Sequence, residues 1–283
     1  MPETIRTLID RRESSEPPVL PDKLRIAYGG DLWFPPPGPQ RPYVIGNFVS
    51  TVDGVVSYAI PGKSGGGDIS GFDEPDRFIM GLLRASADAV MVGSGTLHQT
   101  APEHLFVADR VWPQARDLYA RYRSEILKKT APPLQVVVSG SGRVDLTRAI
   151  FRTSGIRTLI VTTQAGRDLL VASGVGSLAS TEVRPFEGPT IASAPMLELL
   201  HAQFGVSLLL LEGGPTLFGR FVADRCVDEL FLTIAPQVAG RNMPPLRPGF
   251  IAGVEFLPET APWLDIVSVK ARGNHLYLRY RAA

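Results

Sequence analysis

The residues best suited to chemistry lie where an apolar segment of the chain ends. Glu212 follows the apolar run 207–211, and Gly213 and Gly214 come directly after it. A carboxylate can bind a polar ligand or transfer a proton, and glycine lets a phosphate group approach the backbone closely. Pro215 suits the first position of a helix, whose free N–H groups attract an anion. The stretch therefore predicts a phosphate-bearing ligand with a carboxylate beside it.

Other apolar segments also end in small or hydroxyl-bearing residues, namely Gly93-Ser94-Gly95-Thr96, Ser139-Gly140-Ser141-Gly142 and Thr162-Thr163. Ligands bind at the carboxyl ends of parallel strands, so these ends predict a shared nucleotide groove. The chain contains neither a P-loop pattern nor the full G-x-G-x-x-G fingerprint. Arg143 stands where an acid would hold an adenosine 2′-hydroxyl. It indicates either a 2′-phosphorylated dinucleotide or a solvated loop charge.

Composition and motifs argue against several other classes of protein. The four histidines and the single cysteine form no metal-ligand pattern, and the G-x-S-x-G elbow of a hydrolase does not occur. Lys plus Arg total 29 against 28 Asp plus Glu, which predicts no nucleic-acid partner. The sequence shows neither a secretory leader nor an apolar run long enough to span a bilayer. We therefore predict a soluble, cytoplasmic protein with no metal site and no membrane partner.

The order of the segments predicts one α/β domain over residues 42–283. Residues 1–41 are rich in proline and charge, and predict an extension that lies over a neighbouring surface or is partly mobile. Beyond them, apolar strands alternate with helices, which favours a mostly parallel central sheet flanked by helices. The last three strands have no long helix between them, so we expect an antiparallel C-terminal edge. Residues 63–71 predict a flexible glycine-rich loop, and residues 112–129 an amphipathic helix.

Four motifs, in this order and spacing, carry a resemblance to a known family: NFVSTVDG, LLRASADAVMVGSGT, VVVSGSG and LLLEGGPTL. From about Pro42 to Arg281 the chain resembles the reductase of bacterial riboflavin synthesis, which is the C-terminal half of the bifunctional pyrimidine deaminase-reductase. The resemblance implies a dihydrofolate reductase-like α/β fold, an NADPH cofactor and a homodimer. It also implies a small-molecule substrate of the 5-amino-6-(5-phosphoribosylamino)uracil type, whose ribosyl side chain is reduced to a ribityl chain.

Matching positions imply two groups of site residues. The implied cofactor contacts are Ser50, Thr51, Gly93, Gly95, Thr96, Ser139, Gly213, Gly214, Pro215, Thr216 and Leu217. On the substrate side, Arg84 matches an arginine suited to the substrate phosphate, and Glu212 matches a carboxylate that faces the substrate. Asn47 and Ser64 complete the predicted substrate-binding set. Glu212 and Asp53 are the candidate catalytic residues, although Asp53 is also interpreted as a turn former.

The chain departs from the family pattern mainly on the substrate side. Asn47 stands where the family typically has lysine, and Thr100 stands where it has an acid. The family pattern also has an arginine at the end of the run that begins at the position of Thr100, and this chain lacks it there. Whether Arg110, which lies close by in sequence, replaces that arginine is left open. Thr51 stands where serine is usual and keeps a hydroxyl. The cofactor side is thus better preserved than the substrate side.

The resulting hypothesis is direct hydride transfer from NADPH. The nicotinamide faces a pocket formed by Ser50, Thr51, the glycine-rich loop and Glu212, and the protein supplies position and electrostatics. The proton comes from water or from Glu212. Two alternatives stay open. One is a reductase of a pterin, folate or other heterocycle, which the altered substrate side suggests. The other is a non-catalytic nucleotide-binding dimer.

Overall fold

One sheet of ten strands organises the computed structural model, which describes residues 4–12, 18–241 and 247–283. In chain order the strands are β1 (Arg6–Asp10), β2 (Tyr43–Thr51), β3 (Ala89–Gly93), β4 (Leu134–Val138), β5 (Thr158–Thr163), β6 (Thr181–Phe186), β7 (Leu208–Leu211), β8 (Glu229–Ala235), β9 (Leu264–Arg272) and β10 (His275–Ala282). Across the sheet their order is β1-β9-β10-β8-β2-β7-β3-β4-β5-β6. Most neighbours in this order are distant in sequence, so helices and loops must cross over the sheet.

The strands from β8 to β6 all run parallel to one another. Every residue of β5 and of β7 is buried, because helices cover both faces of the sheet at these strands. The carboxyl ends of the parallel strands therefore meet along one edge of the sheet, which is where ligands bind in such folds. The strand ends singled out in the sequence lie on this edge.

The other side of the sheet is antiparallel. Strand β10 pairs antiparallel with β8 and with β9, and β1 pairs antiparallel with β9. Only residues 273–274 connect β9 to β10, and so short a turn permits only an antiparallel pair. The predicted α/β fold, with a mostly parallel sheet and an antiparallel C-terminal edge, is confirmed.

Helices pack against the sheet in two large hydrophobic cores and one small cluster around Ile69. The helices are α1 (Asp22–Tyr28), α2 (Gly66–Ser70), α3 (Glu74–Ser86), α4 (Ser94–Gln99), α5 (Ala108–Val111), α6 (Arg116–Arg121), α7 (Ala149–Arg152), α8 (Gln164–Ala172), α9 (Ser193–Phe204) and α10 (Pro215–Ala223). One core contains Phe78 of α3 and Tyr119 of α6, and the other contains Leu197 of α9 and Phe221 of α10. Within the described ranges, no helix is long and apolar enough to cross a membrane.

Two segments differ from their predicted form. Residues 63–71, predicted as a loop, contain the short helix α2, and the side chain of Gln237 donates to the Ile69 carbonyl oxygen at 2.8 Å. Residues 112–129, predicted as one helix, form a 3₁₀ turn, the helix α6 and a π-helical segment, Tyr122–Ile126. Pro113 begins the 3₁₀ turn because it has no N–H to donate to an earlier carbonyl. Strand β6 was not predicted, because its residues are only half-buried and include a charged pair.

The described part of residues 1–41 contributes two elements to the fold. Strand β1 joins the sheet beside β9, and Ile5 and Leu24 are completely buried. The ammonium group of Lys270 donates to the hydroxyl of Thr7 and to the carbonyl oxygen of Gly29, at 2.8 Å each. These bonds join β9, β1 and the end of α1. Residues 1–3 and 13–17, which belong to the predicted extension, lie outside the described residues.

Candidate functional site

Glu212 follows β7 and forms an ion pair with Arg84. The Nε and Nη2 atoms of Arg84 donate to the two carboxylate oxygens at 2.9 and 2.7 Å. The side chains of Arg84 and Glu212 are 3% and 7% exposed, so water does little to screen the pair. A bidentate arginine–carboxylate pair fixes the orientation of both groups. The acid at the end of a buried strand is therefore satisfied within the protein and held in one direction.

Helix α3 places Arg84 beneath the sheet edge. Asp73 caps the start of α3, because its carboxylate accepts a hydrogen bond from the first turn, and Arg84 lies in the last turn. The Nη1 atom of Arg84 approaches the carbonyl oxygens of Leu105 and Val107 at 3.5 and 3.4 Å. The guanidinium carbon lies 5.3 Å from the centre of the Phe106 ring. All three nitrogen atoms of the guanidinium are thus engaged by the protein.

The glycine pair turns the chain from β7 into α10. The peptide bond between Gly213 and Gly214 is cis, and Gly213 has a φ of 91°, in the left-handed region that favours glycine. The N–H of Gly93 donates to the Gly213 carbonyl oxygen at 2.8 Å, which fastens this turn to the end of β3. A β-carbon on Gly214 would lie 2.9 Å from the Thr96 hydroxyl oxygen, and one on Gly213 would lie 3.0 Å from the Phe48 ring. Position 213 therefore requires glycine for its backbone conformation, and a side chain at position 214 would crowd Thr96.

The start of α10 lies beside this turn. Gly214 precedes the helix, and its carbonyl oxygen accepts the N–H of Phe218 at 3.0 Å. Pro215 takes the first helical position, and the N–H groups of Thr216 and Leu217 come before the first intrahelical bond. The helix dipole adds a partial positive charge at the same place. This end of the helix suits an anion at the carboxyl edge of the sheet.

Ser139, the residue after β4, carries a buried hydroxyl without a hydrogen-bond partner among the described residues. It is only 2% exposed. The hydroxyls of Thr162 and Thr163 donate to the carbonyl oxygens of Ser139 and Gly140, at 2.6 and 2.8 Å, and so fix the loop. A buried polar group that lacks a partner costs free energy. The Ser139 hydroxyl therefore fits a ligand that supplies the missing hydrogen bond.

Asp53 fastens the loop after β2. Its carboxylate accepts hydrogen bonds from the Thr51 hydroxyl at 2.6 Å and from the N–H groups of Ala239 and Gly240 at 3.1 and 2.7 Å. The Thr51 hydroxyl, chiefly, and the backbone N–H groups lower the pKa of Asp53 to about 2. The Thr51 oxygen also accepts the N–H of Val55 at 2.9 Å. Both side chains hold the loop in shape, and the proton of the Thr51 hydroxyl is already used.

Asn47 and Ser64 have their own surroundings, and the hydrogen bonds of Arg84 and Glu212 within the described residues include neither of them. Asn47 on β2 lines a small cavity of about 10 Å³, which is enough for a single water molecule. Ser64 donates to the carbonyl oxygen of Ile60 at 2.8 Å and so closes the loop before α2.

Arg148 is a buried residue of this region that sequence reasoning missed. It is 7% exposed, and its guanidinium donates to the carbonyl oxygens of Thr100 and His98 at 2.9 and 3.0 Å. Thr100 itself donates to the Leu97 carbonyl oxygen at 2.8 Å. These bonds hold the end of α4, the helix that carries Thr96. No sequence signal marks Arg148, because it lies in an irregular segment before α7.

His104 adds no positive charge beside Arg84. Rings of His104 and Phe106 pack edge to face with their centres 4.7 Å apart. Burial, chiefly, and the charge of Arg84 lower the pKa of His104 to about 4, so its imidazole is neutral at physiological pH. Over the part of the chain that the structure describes, no group of three or more His, Cys, Asp or Glu side chains could hold a metal ion.

The strand ends, the glycine turn and the Arg84–Glu212 pair all fall within one recognised sequence profile. The profile of the RibD C-terminal domain matches residues 42–276. The chain belongs to this family. The match begins just before β2 and ends at the start of β10, so the RibD C-terminal domain includes all of the parallel strands and leaves out β1 and α1.

Relatives of this RibD C-terminal domain include two proteins that are both named 2,5-diamino-6-ribosylamino-4(3H)-pyrimidinone 5′-phosphate reductase. The one from Archaeoglobus fulgidus is 30% identical over 211 residues, which are 74% of this chain and 88% of the relative. The one from Methanothermobacter thermautotrophicus is 29% identical over 207 residues, which are 71% of this chain and 81% of the relative. The crystal structure of a pyrimidine reductase-like protein from Corynebacterium diphtheriae shares the fold, with a TM-score of 0.66 at 19% identity over 86% of this chain and 92% of that protein.

Proposed function

We propose that this protein is an NADPH-dependent reductase of riboflavin biosynthesis, which converts the ribosyl side chain of a phosphorylated ribosylaminopyrimidine into a ribityl chain. The observation that carries the proposal is the buried Arg84–Glu212 pair, which fixes a carboxylate at the edge where the glycine turn and the strand ends meet. Family membership and the names of the archaeal relatives support the reaction.

The residues at the strand ends fit a nicotinamide dinucleotide. A β-carbon on Gly95 or Gly140 would meet nothing within 4 Å, so the surface beside these glycines is open to a ligand. Ser139 offers its unpartnered hydroxyl, and the first turn of α10 offers free N–H groups to the pyrophosphate. We assign the 2′-phosphate of NADPH to the exposed Arg143. The cofactor, when bound, supplies the hydride.

Glu212 is proposed to orient the substrate. Each carboxylate oxygen accepts one hydrogen bond from Arg84 and keeps a further lone pair for a ligand. These lone pairs suit a pyrimidine N–H or a ribosyl hydroxyl. The ion pair makes Glu212 an acceptor, so we assign delivery of the proton to water rather than to Glu212. Glu212 and two backbone carbonyl oxygens already engage all three guanidinium nitrogens of Arg84, so we assign Arg84 to holding Glu212 in place rather than to binding the substrate phosphate.

We also propose that the protein is a cytoplasmic homodimer. Strand β1 covers the outer edge of β9, so the C-terminal strands do not offer that edge to a second subunit. Exposed apolar side chains at the antiparallel end of the sheet offer a contact instead, and Trp263 is 82% exposed. Sedimentation velocity over a range of concentrations tests this, because a monomer at every concentration would contradict a dimer.

The rate of NADPH oxidation by the purified protein tests the proposed reaction. The substrates to compare are 2,5-diamino-6-ribosylamino-4(3H)-pyrimidinone 5′-phosphate, which the relatives' names specify, the corresponding 5-amino-6-(5-phosphoribosylamino)uracil, and dihydrofolate. We expect turnover with one of the two pyrimidines, and at least about tenfold less with NADH in place of NADPH. Turnover with dihydrofolate alone would replace the proposed substrate by a pterin. NADPH binding without turnover of any of the three would favour the non-catalytic dimer.

A further inference from the structure

Arg84 also lines a cavity to which Glu212 does not contribute. Its volume is about 480 Å³, within the range of about 300–1,000 Å³ that is typical of small-molecule sites. Pro133 lines the cavity directly before β4 begins, and Ile156 lines it just before β5. These are the amino ends of strands whose carboxyl ends carry Ser139 and Thr163. The cavity is therefore separate from the groove assigned to the cofactor.

Five basic side chains line this cavity. They are Arg84, Arg110, Arg116, Arg123 and Lys129, and Asp109 is the one acid among the lining residues. Three carboxylates form ion pairs with these cations. Glu212 pairs with Arg84, Asp109 with Arg116, and Asp88 with Lys129. Positive charges at the cavity thus outnumber the paired carboxylates by two, which leaves a local positive potential.

The surplus charge is partly buried. Arg123 donates to the carbonyl oxygens of Ala85, Ala87 and Ala131, which are neutral acceptors. Burial lowers the pKa of Arg123 and that of Lys129, even though Asp88 opposes both shifts. Such shifts mean that the surroundings do not fully compensate the cationic forms. An anion inside the cavity would supply this compensation.

The remaining walls of the cavity are apolar. Leu105, Val107 and the ring of Tyr119 line it together with the cations. We propose that this cavity binds a small organic phosphate, with the phosphate group between Arg110 and Arg116 and an apolar or aromatic body against Leu105, Val107 and Tyr119. Arg110 and Arg116 are both exposed, so an entering anion can reach Arg110 directly and can compete with Asp109 for Arg116. This site does not depend on the proposed reductase activity.

Isothermal titration calorimetry of the full chain with phenyl phosphate tests the proposal. Phenyl phosphate carries an aromatic ring and a phosphate, and phenol serves as the uncharged control. We expect the wild-type protein to bind phenyl phosphate and not phenol. Arg110→Ala and Arg116→Ala are each expected to weaken binding about tenfold, because each removes one charge-assisted hydrogen bond.

Two control variants distinguish binding in this cavity from binding elsewhere on the protein. Arg6→Ala removes a positive charge from the exposed surface of β1, and Ser139→Ala changes the strand-end groove. Neither is expected to alter the affinity for phenyl phosphate. Thermal unfolding confirms that each variant is folded, and Arg110→Gln provides a second variant at that position. The proposal is overturned if the wild type does not bind phenyl phosphate, if Arg110→Ala and Arg110→Gln bind as the wild type does, or if Ser139→Ala abolishes binding.

Discussion

The carboxylate of Asp53 accepts a hydrogen bond of 2.7 Å from the backbone N–H of Gly240, 187 positions later in the chain. The N–H of Ala239 donates to the same carboxylate at 3.1 Å. Arg241 strengthens the link, since its guanidinium donates to the Gly54 carbonyl oxygen at 2.9 Å. These bonds fasten the loop after β2 to the loop after β8. The Asp53 carboxylate and the Arg241 guanidinium thus hold the shape of the loop that borders the candidate site.

We expect Asp53→Asn to lower stability at neutral pH and to have no effect near pH 2. Folding lowers the pKa of Asp53 from 3.8 to about 2, so its stabilisation is complete above 3.8 and is lost as pH falls through about 2. Urea unfolding of both proteins along a pH series measures the difference. The exposed Asp168 provides a control for the loss of a surface carboxylate, measured as Asp168→Asn in the same series. A difference for Asp53→Asn that is constant with pH would contradict this assignment.

Asp76 is expected to affect stability in the opposite sense. Burial, as the largest cause, raises its pKa from 3.8 to about 6. The folded state therefore binds this proton more tightly than the unfolded state, and stability should fall as pH rises from 3.8 to about 6. Asp76→Asn should remove that part of the pH dependence, which urea unfolding across the same interval measures. Identical slopes for Asp76→Asn and the wild type would show that Asp76 does not titrate there.

The ion pair of Arg84 and Glu212 makes a strong prediction about single and double substitutions. Arg84→Met leaves the Glu212 carboxylate buried without its partner, which is expected to cost about 3–5 kcal/mol of unfolding free energy. The double variant Arg84→Met/Glu212→Leu should recover most of that loss, because no isolated charge remains. Chemical denaturation of the wild type, both single variants and the double variant measures the coupling. Additive losses would mean that the two side chains are energetically independent.

Glu212→Gln removes the negative charge of the Glu212 side chain and keeps its size, so it tests whether turnover depends on that charge. We expect NADPH to bind with unchanged affinity and turnover to fall at least about tenfold, because an amide offers one acceptor atom instead of two. The exposed Glu198 gives a matched control, and Glu198→Gln should keep full turnover. Steady-state kinetics with the pyrimidine substrate provides the measurement. Wild-type turnover in Glu212→Gln would exclude Glu212 from the reaction.

Substitutions at two glycines should have different effects. Gly214→Ala brings a β-carbon to 2.9 Å from the Thr96 oxygen, and we expect it to cost about 1–3 kcal/mol of stability. Thr96→Ala in the same protein should relieve part of this cost.

The β-carbon of Gly140→Ala meets no atom within 4 Å, so this variant should unfold as the wild type does. It should still bind NADPH more weakly, because its methyl group enters the proposed groove. Thermal unfolding and NADPH titration distinguish the two cases.

Ser139→Ala should change stability and cofactor binding in opposite directions. Removing a buried hydroxyl that has no partner is expected to leave stability unchanged or raise it by up to about 1 kcal/mol. NADPH affinity should fall about tenfold if the hydroxyl bonds to the cofactor. Thr163→Val is the contrasting variant, because it removes the 2.8 Å bond to the Gly140 carbonyl oxygen and should lower stability. Equal NADPH affinity in Ser139→Ala and the wild type would remove Ser139 from the cofactor site.

Local patterns in the sequence predicted most of the parallel core. Apolar runs of four to six residues that end in glycine or a hydroxyl are visible without any knowledge of distant contacts. They correctly located the ends of β3, β4, β5 and β7. The helix α2 was missed because glycines dominate its sequence, and a hydrogen bond from Gln237, 168 positions away, supports it. Strand β1 was missed because proline and charge surround it.

The sequence by itself determined most strands of the parallel core, the antiparallel C-terminal edge, and the motifs shared with the RibD C-terminal domain. Only the tertiary structure decided that Arg84 pairs with Glu212, 128 positions later, and that Asp53 holds a distant loop. It also decided that β1 covers the edge of the sheet and that Arg84 lines a basic cavity. The reason is physical. Periodicity and glycine placement act over a few residues, whereas the partner of a buried charge depends on which distant elements pack together.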